Sequence, residues 1–141
     1  MPKDARRQRG FSLIELLLVV AIIGIVASIA VPRLMGARAA AQQAAAVSAL
    51  RTLYSTQLSY ASTNGRYGRL FELNQLNNGN FGEQAGPTLR RQGYVFQTVP
   101  TVPSDAQLAR GFTIAATGQY PDGTLAIFTV DETGVISQIS P

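Results

Sequence analysis

The chain has 141 residues, room for one modest domain, with 12 basic and 8 acidic side chains and neither cysteine nor histidine. Without cysteine there is no disulfide framework, and without histidine the commonest general base and metal ligand are both missing. Nucleophilic and zinc-dependent catalysis therefore find no constellation here, and neither an enzyme nor a bound metal or cofactor is expected.

The basic balance sits mostly in the leader. Residues 1–10 carry Lys3, Arg6, Arg7 and Arg9 against Asp4, whereas residues 11–141 carry 8 basic and 7 acidic side chains. A nucleic-acid footprint needs clustered cations, and the only basic pair in the body, Arg90-Arg91, reads as a solvated loop, with phosphate contact as the minority reading. Nucleic acid is thus not an expected partner.

From Phe11 to Val31 the sequence is "FSLIELLLVVAIIGIVASIAV", 21 residues with the single charge Glu15. A helix of that length spans roughly 32 Å, the thickness of a hydrocarbon core. The basic leader predicts a cytoplasmic N-terminus and a translocated body. A cleaved secretory signal is the second choice, with Ala27-Ser28-Ile29-Ala30 as its small-residue site. Beyond the span the helical pattern continues. Gly24 and Pro32 are its soft points, Pro32 because a proline removes one helical hydrogen bond and bends the axis. Val47, Leu50, Tyr54, Leu58 and Ala61 recur at spacings of three and four and predict one apolar face. Asn64-Gly65 supplies the stop, giving one helix of about fifty residues.

Glu15 has two readings. Ser12-Leu13-Ile14-Glu15 fits the S-x-x-E capping box, in which the acid serves the free amides of a helix start. Alternatively, a cut between Gly10 and Phe11 creates a new α-amine four residues from Glu15, and in a bundle of such helices that amine is the nearest cation for a neighbour's carboxylate. Losing one partner of a buried pair costs about 3–5 kcal/mol, enough to set the register between subunits.

The stretch "RGFSLIELLLVVAIIGIVASIAVPRL" resembles the N-terminal signal and helix of type IV pilins and of the pseudopilins of type II secretion. The resemblance runs from Arg6 to about Tyr54. It implies peptidase cleavage after Gly10, N-methylation of Phe11, an assembly role for Phe11 and Glu15, and a helix kinked or locally melted at Pro32 in filaments. It further implies an α+β fold, in which a small antiparallel sheet wraps the C-terminal half of a long spine helix.

The rest of the chain reads as loop and strand. Leu70, Leu73 and Leu76 suggest one or two helical turns, followed by an Asn/Gly-rich turn. Four strands are predicted: Tyr94 to Val99, Phe112 to Thr117, Thr124 to Val130 (apolar on both faces, as a central strand would be) and Val135 to Ile139. The last two form a hairpin through residues 131–134, and Pro100, Pro103 and Pro121-Asp122-Gly123 are turn material. The apolar sheet face needs a cover, which Val47, Leu50, Tyr54 and Leu58 provide. Two features depart from the family. Many type IV pilins close a C-terminal loop with a disulfide, which this chain cannot form. Major pseudopilins often bind calcium, but Asp131 and Glu132 are better explained here as hairpin-turn residues. Arg66-Tyr67-Gly68-Arg69, the one place where cations flank an aromatic, reads as the connection after the helix.

The expected organisation is a cleaved leader (1–10), a membrane or filament-core helix (11–31), its amphipathic continuation (32–64) and a β-rich head (65–141). The resemblance implies, as partners, further copies of the chain, minor pilins or pseudopilins, the peptidase and methyltransferase, the inner-membrane assembly platform, and lipid before assembly. The corresponding location is the inner membrane, then a surface pilus or the periplasm.

Overall fold

A computed structural model describes residues 11–120 and 123–139, and these fall into two compact units that divide after Gly36. One long helix, α1 (Leu13–Asn64), begins in the first unit and ends in the second. It stops where Gly65 takes φ 69° and donates its N–H to the Ala61 carbonyl at 2.9 Å, a left-handed cap for which glycine is suited.

The second unit adds α2 (Leu70–Leu76), β1 (Glu83–Ala85), β2 (Thr88–Arg91), β3 (Tyr94–Thr98), α3 (Asp105–Leu108), β4 (Thr113–Gln119), β5 (Leu125–Asp131) and β6 (Ile136–Gln138). The six strands form one antiparallel meander in chain order. The register places Leu89, Phe96, Ala116 and Phe128 in one row across four strands. All four are buried, together with Ala46, Ala49, Leu50 and Leu53 of α1 and Leu70 and Leu73 of α2. The fold is therefore α+β, with the sheet's apolar face covered by the second half of the long helix. Large side chains meet small ones across this face: a Cβ at Gly118 would lie 2.6 Å from the Tyr94 ring, and one at Gly134 2.6 Å from the Tyr54 ring. Gly134 also has φ 78°, so the β5–β6 turn asks for glycine twice over.

The helix buries a face rotated from the expected one. Ala46, Ala49, Leu50, Leu53 and Gln57 are buried, Val47 and Tyr54 are half-buried, and Leu58 is 43% exposed. Alanines weigh little in an apolar pattern, yet here they allow close approach of helix to sheet, and the polar Gln57 takes the core position that Leu58 seemed to claim. The sheet also has two more strands than expected. Arg90 and Arg91 are exposed residues of β2 rather than of a loop. In β1 and β2 only Leu89 is buried, so there was too little alternation to mark a strand. β5 alternates, burying Ala126, Phe128 and Val130 while Leu125 stays exposed, so only one of its faces is buried although Leu125 and Ile127 make the other apolar too. The short α3 was missed although "SDAQ" is a capping box: Ser104 accepts from the Gln107 amide at 3.3 Å, and the Gln107 side chain accepts from the Ser104 amide at 2.9 Å.

Candidate functional site

Residues 11–36 offer a helical surface with almost nothing buried. Phe11 is 75% exposed, and every large apolar side chain from Leu13 to Met35 lies open. The helix is long and apolar enough to cross a membrane. Exposed apolar surface on this scale requires lipid or other copies to cover it. At the start of α1 the Glu15 and Leu16 amides both donate to the Ser12 carbonyl, at 3.1 and 3.2 Å. The Glu15 carboxylate is exposed and has no ion pair among the described residues. Gly10 lies outside the described residues, so of the two residues that flank the expected cut only Phe11 is described. The helix continues unbroken through Gly24 and Pro32. Pro32 supplies no amide to the Ser28 carbonyl. The Ser28 hydroxyl donates to the Ile25 carbonyl at 2.7 Å, which satisfies its polar group within the helix.

The head contains a second polar constellation, which fixes the connection from α1 to α2. The buried Gln57 side chain grips the backbone of Gly68 from both sides: Nε2 donates to the Gly68 carbonyl at 2.8 Å, and Oε1 accepts from the Gly68 amide at 2.7 Å. Nearby, Arg66 donates to both oxygens of Glu72, at 2.7 and 3.0 Å, and the Arg69 amide donates to Glu72 at 2.6 Å. The Arg69 guanidinium reaches Asp105 at 2.8 Å. The Arg66 hydrogen bond holds the Glu72 carboxyl at about 2, well below the ordinary carboxylate value, and raises the guanidinium in turn. A depressed carboxylate stabilises the fold above its unfolded pKa, and that stability is lost as pH falls toward the folded value. The head should therefore lose on the order of 2 kcal/mol between about pH 5 and pH 2. Glu72→Gln should flatten this slope in thermal unfolding followed across the same window.

These contacts answer the question of a nucleic-acid patch at residues 66–69. Both arginines are engaged by carboxylates, and Tyr67 is half-buried with its ring centroid 4.8 Å from that of Phe112. Asp131 likewise serves its own turn, accepting from the Thr133 hydroxyl and from the Thr133 amide, at 2.5 and 2.9 Å, and the hydroxyl contact most of all lowers its pKa. Among the described residues no group of three or more acids is placed to hold a metal ion. Sequence reading missed Gln57, Glu72 and Asp105. A lone glutamine on an otherwise apolar helix stripe was the available signal.

The molecule therefore combines two parts, an open apolar helix long enough to cross a membrane and a compact α+β head. Residues 5–31 match the family model described as the prokaryotic N-terminal methylation motif. The chain is 49% identical over 61 residues to the type IV major pilin protein PilA of Myxococcus xanthus, covering 43% of this chain and 28% of that protein. It is 45% identical over 62 residues to the type II secretion system core protein G of Dickeya chrysanthemi, covering 44% of this chain and 40% of the relative. The corresponding protein of Vibrio cholerae is 40% identical over 65 residues, covering 46% and 44%. Over these stretches the chain is thus similar to a type IV major pilin and to type II secretion core proteins G, and it spans less than half the length of these curated relatives.

Proposed function

We propose that the protein is a structural subunit of a type IV pilus. In this reading it is inserted in the inner membrane with its N-terminus cytoplasmic, cut after Gly10, N-methylated at Phe11 and assembled through its apolar helix into a helical filament. The observation that carries the reading is the methylation motif over residues 5–31 running into an open, membrane-length helix with one acid in its first turn. Glu15 pairs with the new α-amine of a neighbouring copy, and Gly24 and Pro32 give the helix its points of bending. Residues 65–141 form the head on the filament surface, and the peptidase, the methyltransferase and the assembly platform are the partners of its maturation.

The second reading is a pseudopilin of a type II secretion system. It is favoured by the larger share of core protein G that the match covers, 40% against 28% of the major pilin. Immunogold labelling of intact cells and sheared material with an antibody to the head separates the two. Long labelled surface fibres support the pilus, and label confined to the periplasm supports the secretion machine.

A further inference from the structure

Three of the head's arginines that no carboxylate holds among the described residues, Arg38, Arg90 and Arg91, border one place. The β2–β3 turn, Gln92-Gly93, leans on α1, where a Cβ at Gly93 would lie 3.4 Å from Gln42. Two shallow depressions share Gln92 as a wall, one bordered by Arg38 on α1 and the other by Arg90 and Arg91 on β2. All three arginines are exposed. Arg91 donates to the Asn80 carbonyl at 3.0 Å, and none of the three has an ion pair among the described residues. The acid on this rim is Glu83, the register partner of Arg90; Asp122, in the β4–β5 turn, lies outside the described residues. By contrast, the arginines after α1, Arg66 and Arg69, are balanced by Glu72 and Asp105.

Arg38 follows Val31, the last residue of the apolar run, by seven positions, with Arg33 between them. Seven residues of chain reach at most about 25 Å, so an inserted span keeps the rim within that reach of the bilayer surface. We propose that Arg38, Arg90 and Arg91 dock the head of the unassembled subunit on the phosphate groups of an anionic phospholipid surface. Guanidinium groups suit this partner because their planar donor fork matches phosphate oxygens. The proposal rests on insertion of the apolar helix, though not on the kind of filament it later joins.

The absence of cysteine makes a direct test possible. Gln92→Cys carries a fluorophore, and because Gln92 already sits at φ 49° the exchange asks little new of the backbone. The full chain is placed one copy per nanodisc, in neutral lipid or in lipid containing anionic phosphatidylglycerol, each with a headgroup-bound quencher. Docking predicts stronger quenching in the anionic discs, removed by high salt because the contact is electrostatic. Arg90→Gln with Arg91→Gln should lower the docked-to-free ratio at least about tenfold, and the exposed helix variant Arg38→Gln should lower it alone. Equal quenching in both lipids, or quenching untouched by salt, overturns the proposal. Quenching that appears only with two copies per disc also overturns it, in favour of contact between copies. Failure of the chain to enter either disc overturns the insertion reading itself.

Discussion

Glu15→Gln should enter the membrane as the native chain does and yield almost no filament. The glutamine keeps a hydrogen-bonding group in the first turn of α1, where the Glu15 amide meets the Ser12 carbonyl. It removes the negative charge that the proposed contact with a neighbour's α-amine requires. In the apolar interior of a filament, an amine left without its carboxylate costs about 3–5 kcal/mol per subunit, which is repeated at every contact. Sheared-fibre yield should fall by at least about tenfold while membrane fractionation stays unchanged, since one such contact alone is worth more than that factor. Native yield from this variant would leave Glu15 with the capping role only.

Gln57→Leu should be the more damaging change to the head. Leucine matches the site in size and the site is fully buried, so an apolar exchange looks harmless by area. It strips partners from both the carbonyl and the amide of Gly68, which are held at 2.8 and 2.7 Å at a buried position. Each orphaned buried group costs about 1–3 kcal/mol, so for the two a loss of about 2–6 kcal/mol is expected in denaturant unfolding. The neighbouring change Leu58→Gln, at a side chain 43% exposed, should stay within about 0.5 kcal/mol. If Leu58→Gln proves the costlier of the two, the assignment of the buried face is wrong.

That pair of residues also shows where the sequence was legible. The membrane-length run, the end of α1 at Asn64, the leucine turns of α2 and the four apolar strands could be read from period and turn residues, because each depends on local chemistry. The rotation of the helix on the sheet could not. It follows from alanines that are small rather than greasy, and from a glutamine whose partner lies eleven residues away in the next loop. β1 and β2 escaped notice because sheet pairing defines them, with Leu89 as their single buried side chain. The Arg69–Asp105 contact is non-local as well, since its partners lie 36 residues apart in the chain. The N-terminal segment is the opposite case. Phe11, Glu15 and Pro32 carry their meaning in order and spacing, so the motif is visible in the sequence, whereas the contacts they are proposed to make lie between copies.

The claim on which the functional account turns is that the chain is trimmed to expose a new amine beside Glu15. Mass spectrometry of the N-terminal peptide of protein recovered from cells tests it most directly. The account predicts a mature chain beginning at N-methylated Phe11. A chain that still carries residues 1–10 in cells with active peptidase would contradict it and indicate a plain single-span anchor.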